Sequence, residues 1–239
     1  MKFVGSKRRI AKKIIPFLKK VHIPNARYIE PFVGGGNMIQ AVPFENRYGS
    51  DTDRYIIAYL EAIRDGWVPP GELTKEEYIY IKGNRDLFLP EVVGFVGYAC
   101  SFGAKFFGGY AQGDDRNFAE EGQRNAIKQA PLLQGVKLKQ CTYDNLFYPT
   151  DTTVYMDPPY EGTLGYQSGS FDHQHFWNLA TDISEVCSVF VSEYKAPEGW
   201  ISLLSEEVKV GIDTGVHKKE TEQLFVLRNG LAHRRLRKV

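Results

Sequence analysis

Two short apolar runs, each closed by an abrupt turn, constrain the fold of this chain most. Arg27 to Phe32 leads into Gly34-Gly35-Gly36, and Thr153-Val154-Tyr155-Met156 leads into Asp157-Pro158-Pro159-Tyr160. Runs of this length that end in Gly or Pro read as strands. A short apolar helix is predicted from Asn37 to just before Pro43, which makes the first run a strand-turn-helix unit. A second extended piece ends at Asp51, and a helix begins near Asp53 with Ile56, Ile57, Leu60 and Ile63 on one face. That helix is broken by Gly66 and Pro69-Pro70-Gly71. Thr74 with Glu77 forms a capping box, and Asn117 with Glu120 a weaker one, so two further helices are predicted before Pro131. From Val136 the strand pattern resumes, with Thr153–Met156, Ser188–Val191, Glu207–Ile212 and Glu222–Leu227 as the best candidates. Pro16 interrupts an otherwise helical pattern near the start, which predicts a kink or two short helices. Strands and helices on both flanks of a helical stretch imply an α/β fold of about seven strands. Residues 1–53 and 136–239 would build the sheet, and 54–135 would be a helical insert.

Composition narrows the class. The chain has 239 residues, 43% hydrophobic and 25% charged, which excludes a disordered tail, a collagen-like repeat and a disulfide scaffold. No stretch reaches the roughly 18 uninterrupted apolar residues of a membrane helix, and no signal peptide opens the sequence, so a cytoplasmic protein with no membrane partner is expected. Cys100, Cys141 and Cys187 are widely spaced and form no Cys-x-x-Cys pair, as small buried hydrophobes would. The net charge of +1 conceals an asymmetry. Residues 1–29 carry nine basic residues and no acid, and residues 228–239 carry five and no acid, leaving 16 basic against 29 acidic residues between them. If the two ends meet they form a patch suited to a phosphate backbone, with Arg8, Arg9 and Lys12 foremost. The opposing reading is a solvated helix face whose apolar side is Ile10, Ile14, Phe17 and Leu18.

Three elements carry chemistry. The glycine turn permits positive φ and a close backbone approach, as a cofactor loop requires, yet Ile39 stands where a dinucleotide fingerprint needs its third glycine. Asp51 ends the next strand, where a carboxylate can accept from a ribose diol; a helix-capping role fits it or Asp53 equally on local grounds. Asp157-Pro158-Pro159-Tyr160 places a carboxylate and the Pro158 carbonyl at adjacent positions, the two acceptors that an exocyclic amine with two N–H groups needs. Tyr160 adds a flat face on which a heterocycle can stack. His173 and His175 alternate at a helix start without a nearby Cys or a second ligand pair, so no metal is expected. Within the insert, Ser101 to Tyr110 interleaves Lys105, aromatics and glycines, and Gln112, Arg116 and Asn117 follow, with side chains able to read base edges. The competing reading there is a glycine-rich loop with its aromatics in the core.

With these pieces in this order, the chain resembles the Dam-like DNA adenine N6-methyltransferases over nearly its whole length. Lys2-Phe3-Val4-Gly5-Ser6-Lys7 is similar to that family's opening motif, with Phe3 replacing the usual Trp. Glu30-Pro31-Phe32-Val33-Gly34-Gly35-Gly36 is similar to its glycine motif, and Gly49-Ser50-Asp51 to the strand end whose Asp binds the cofactor ribose, which favours Asp51 over Asp53. Thr142-Tyr143-Asp144 sits where the family has an acidic residue near the cofactor adenine. Phe190 to Tyr194, and His217-Lys218-Lys219 before Glu222-Gln223-Leu224, resemble its last strands.

The resemblance implies a Rossmann-like methyltransferase sheet with a helical target-recognition insert, and S-adenosylmethionine as cofactor. It places Phe3, Lys7, Phe32, Gly34, Gly36, Asp51, Asp144 and Asp157 at the cofactor, and Asp157, Pro158 and Tyr160 at the reacting adenine. It implies double-stranded DNA as partner, contacted by Arg8, Arg9, Lys12, Lys105, Tyr110, Arg116 and Asn117, and a chain acting as a monomer. The target base would be flipped out of the duplex onto the Tyr160 ring, so Phe should serve at that position. Methylation of cytosine N4 or of RNA suits the same tetrapeptide. An idle nucleic-acid-binding relative would have little reason to keep Lys7, Asp51 and Asp157 to Tyr160 together.

Overall fold

A computed structural model describes residues 7–113, 116–161, 171–210 and 218–238. Phe3 and the rest of the opening motif before Lys7 lie outside the described residues, as do Asp114, Asp115 and His217. Among the described residues seven strands form one mixed sheet, as expected. They are β1 (Tyr28–Glu30), β2 (Arg47–Asp51), β3 (Lys137–Gln140), β4 (Thr153–Met156), β5 (Ser188–Glu193), β6 (Trp200–Val210) and β7 (Lys218–Leu227). Their order is β3-β2-β1-β4-β5-β7-β6, so the sequence of strands reverses direction between β1 and β4. β1 and β4 run parallel in the register Tyr28↔Thr153, and β4 and β5 run parallel from Thr153↔Ser188 to Met156↔Val191. β7 enters antiparallel between β5 and β6. The fold is α/β and Rossmann-like.

The helices are α1 (Ala11–Val21), α2 (Arg54–Arg64), α3 (Lys75–Gly83), α4 (Pro90–Gly94), α5 (Phe118–Gln129), α6 (His173–Ile183) and α7 (Leu231–Leu236). α1 runs through Pro16 as one helix and buries Ala11, Ile14, Leu18 and Val21, leaving its lysines outward. α2 starts where Asp53 accepts from the amides of Tyr55 and Ile56, and α3 where Thr74 and Glu77 close the expected capping box. At α5 the Asn117 side chain accepts from the Glu120 amide at 3.0 Å. The helix expected from Asn37 does not form. Residues 34–42 are a succession of turns, in which Gln40 bonds back to Gly36 and Val42 to Met38. Two glycines in the left-handed region precede a stretch that Pro43 cuts short, leaving too few residues to overcome helix nucleation.

The chain divides into two compact units. One takes in the residues up to Arg9, Val33–Pro43 and Gly49–Gln140; the other takes in Ile10–Phe32, Phe44–Tyr48 and the chain from Cys141 onward. The core of the second unit is the apolar face of β4 and β5, where Val154, Met156, Val189 and Val191 pack with Phe176 and Ala180 of α6. Burial of such side chains contributes roughly 1.5–3 kcal/mol each and fixes where the strands end. Among the described residues no helix is long and apolar enough to cross a membrane.

Candidate active site

In the second unit, β4 is buried along its whole length and is followed directly by Asp157. Its parallel neighbour β1 ends at Glu30. Both residues therefore stand at the carboxyl edge where the strand order reverses, the position at which open α/β sheets take ligands. Glu30 is 2% exposed and accepts from the Tyr28 hydroxyl at 2.6 Å. Burial holds its carboxyl well above the ordinary carboxylate range, and the nearby Asp157 charge pushes the same way.

Two further acids join them. Glu193, the last residue of β5 and also 2% exposed, accepts from the Glu161 amide at 2.7 Å and the Tyr194 amide at 3.0 Å. Burial pushes its carboxyl up to about 7, against the lowering effect of those two amides. Glu222 of β7 is 8% exposed and accepts from the Tyr160 hydroxyl at 3.1 Å. The Tyr160 phenol is raised well above its usual value, first by burial and then by the Asp157 and Glu222 carboxylates, and it also hydrogen-bonds Asp157. Its ring meets that of Tyr194 edge-on at 4.6 Å. Beneath them Tyr155 shares a hydrogen bond with Ser192 at 2.7 Å. The sequence had assigned no role to Glu30, Glu193, Glu222 or the Tyr160 hydroxyl. The one readable signal was that Glu30 and Glu193, like Asp157, close apolar strands.

An aromatic cluster lies in the same unit. Phe32 packs on Tyr143 at 5.3 Å, Phe176 at 5.8 Å and Phe171 at 5.9 Å. Asp144, next to Tyr143, faces His175 at 3.5 Å, and its carboxyl is lowered by a bond from the Thr142 hydroxyl and by His175. His173 and His175 begin α6 over the cap Asp172, whose side chain accepts from the His175 amide. Phe32 and Asp144, named separately from sequence, thus belong to one cluster. α1 and α7 also meet, where the Arg235 guanidinium donates to the Val21 carbonyl at 3.4 Å. The basic ends do come together here, although Arg235 is bound to Asp151 and Ser188, Arg234 faces Glu185, and Lys13 pairs with Glu206. Lys12, Lys19, Lys20, Arg237 and Lys238 remain exposed. The amphipathic-helix reading of α1 is met by its buried face.

In the first unit, Gly34 and Gly36 adopt φ of +45° and +69°. The Gly34 amide donates to Asp51 at 3.0 Å, and the Asp53 amide donates to the other Asp51 oxygen at 3.1 Å. Gln129 donates to the Gly35 carbonyl at 2.9 Å, so the turn is braced from α5. Burial pushes the Asp51 carboxyl up to about 6. Asp53 instead caps α2 and accepts from the Tyr98 hydroxyl, which gives the two carboxylates distinct jobs. A carboxylate has about four lone-pair directions, so Asp51 keeps acceptor capacity beside its amide partners. Lys7 is 5% exposed, whereas Arg8 and Arg9 are on the surface.

The insert residues named from sequence are partly committed to the fold. The Tyr110 hydroxyl donates to the Leu73 carbonyl, and the Asn117 amide donates to the Gly71 carbonyl while its oxygen caps α5. Arg116 pairs with Glu121 at 2.6 Å and lies over the Phe118 ring. Lys105 is exposed; Phe106 and Phe107 are buried, and Phe102 is 60% exposed.

No curated protein matches this sequence. Among solved structures, "SMU.472, a putative methyltransferase complexed with SAH" aligns at 13% identity and a TM-score of 0.38, over 94% of this chain and 53% of that one. The chain thus spans about half the length of that structure. Residues 3–87, which hold the glycine turn, Asp51, α2 and α3, match the family model of the D12 class N6 adenine-specific DNA methyltransferases.

Proposed function

We propose that the chain transfers a methyl group from S-adenosylmethionine to the exocyclic amine of an adenine in double-stranded DNA, with 54–135 as the insert that finds the target sequence. The observation that carries this reading is Asp157-Pro158-Pro159-Tyr160 at the carboxyl end of β4, where the strand order reverses, together with the family match over residues 3–87. The residues present fit the cofactor: Asp51 is a carboxylate anchored by the glycine turn with acceptor capacity to spare for a ribose diol. Asp51 and the turn would hold the cofactor. When bound, the cofactor supplies an electrophilic methyl on a sulfonium.

Adenine N6 is a weak nucleophile because its lone pair is delocalised into the ring. Asp157 and the Pro158 carbonyl, by accepting its two N–H groups, localise that lone pair and stabilise the positive charge that develops on nitrogen. Tyr160 stacks on the base, which must leave the duplex to reach it.

The test is single-turnover methyl transfer to duplex DNA with labelled cofactor, read as N6-methyladenine by mass spectrometry and followed by mapping of the modified sites. Asp157→Ala should lower the transfer rate by about 10² to 10³ with DNA binding little changed. Transfer at the parental rate would show that Asp157 is not at the reacting amine.

A further inference from the structure

We propose that Glu222 and Glu193 are positioning residues that hold Tyr160 as a preset platform for the target base. This rests on the reading that Tyr160 stacks on that base. An aromatic platform is useful only if its plane is fixed before the base arrives, since an ordering cost met at binding is subtracted from the stacking energy. The prolines fix the backbone on one side of Tyr160 but leave the side chain and the exit of the loop free. The structure supplies the missing restraints from two different strands. Glu222 of β7 takes the hydroxyl at 3.1 Å, and Glu193 of β5 takes the amide of the next residue, Glu161, at 2.7 Å. Glu193 also takes the Tyr194 amide, and the Tyr194 ring closes on the Tyr160 ring at 4.6 Å and 79°. Ring edge, hydroxyl and following amide are therefore all held.

A carboxylate is expensive to bury, so 8% and 2% exposure at Glu222 and Glu193 calls for a compensating task. Salvage of chain amides accounts for Glu193. Glu222 is different, because it accepts from the hydroxyl of a side chain whose aromatic face alone would not need that bond. The consequence is specific: the hydroxyl of Tyr160 matters, and Phe does not substitute for it.

The experiment uses the full chain, with 2-aminopurine in place of the target adenine of a mapped duplex, and single-turnover methylation of the unmodified duplex alongside. Tyr160→Phe and Glu222→Ala should each lower both the flipped-base fluorescence and the transfer rate about ten-fold, while cofactor affinity measured by calorimetry stays parental. Glu222→Gln keeps an acceptor and should restore transfer to within about two-fold. The double variant Tyr160→Phe with Glu222→Ala should be no slower than Tyr160→Phe alone, since removing the hydroxyl already breaks the bond to Glu222 along with the one to Asp157. Parental rates in Tyr160→Phe or Glu222→Ala, an additive double variant, or a Gln variant as slow as Ala would each overturn the proposal, the last by showing that Glu222 acts through its charge. Hydrogen exchange at the Glu161 amide tests Glu193 without any activity: Glu193→Ala should accelerate it, and unchanged protection overturns the clamp. A parent protein that forms no N6-methyladenine but shows this protection would refute the functional reading while leaving the clamp in place.

Discussion

Replacing Gly36 by Ala should destabilise the protein by about 1.5 to 3.5 kcal/mol, and two other glycines separate the parts of that cost. Gly36 has φ of +69°, and a Cβ there would meet Gln129 Nε2 at 3.1 Å and Leu60 Cδ2 at 3.3 Å. The left-handed backbone costs an L-residue about 1 to 2 kcal/mol. Displacing Gln129 also loosens its bond to the Gly35 carbonyl, worth about 0.5 to 1.5 kcal/mol. Gly135 has nearly the same φ, +75°, with nothing within 4 Å of the added carbon, so Gly135→Ala should show the dihedral cost alone. Gly49 is the converse: its φ lies outside the left-handed region, but a Cβ would stand 2.9 to 3.0 Å from Val33, Ile39 and Leu138. Gly49→Ala should therefore show crowding alone, about 1 to 3 kcal/mol. Urea unfolding of the three variants, compared at constant m, reads the costs directly. A Gly36→Ala cost no larger than that of Gly135→Ala would refute the inference that the turn is packed against α2 and α5 so tightly that only glycine fits.

Asp51→Ala should weaken S-adenosylmethionine binding about ten-fold or more in calorimetry, whereas Asp53→Ala should act on stability through the α2 cap; the reverse outcome would reassign the two. Because the Asp51 carboxyl is raised to about 6, cofactor affinity should fall as the pH drops below that value, and Asp51→Asn should abolish the dependence. Glu193 is raised to about 7, so the folded state holds a proton that the unfolded chain releases near pH 4. Its contribution to stability is therefore full below the unfolded value and is lost as the pH rises through about 7; unfolding of Glu193→Gln should lack that slope. Neutralising Arg8, Arg9 and Lys12 together should reduce the slope of log DNA affinity against log salt by about 3, and an unchanged slope would assign the run to a solvated face.

What the sequence determined by itself is what depends on neighbours within a few residues. The closed apolar run before Asp157 became β4 with the boundaries expected, because β-branched residues and two prolines act locally. Thr74 and Glu77 closed their box, and Asp53 proved the better helix cap, because a cap bonds amides only two or three residues on. The Gly-rich segment before Pro43 shows the limit of that logic, since its apolar spacing suited a helix that its length could not sustain. Tertiary structure decided everything that depends on distant partners. The insertion of β7 between β5 and β6 brought Glu222 to Tyr160 across 62 positions, and β5 brought Glu193 to Glu161 across 32. Asn117 and Tyr110 donate to the carbonyls of Gly71 and Leu73, partners 46 and 37 positions away. The physical reason is that a buried polar group must find a partner wherever the fold offers one, and residue type along the chain does not say which.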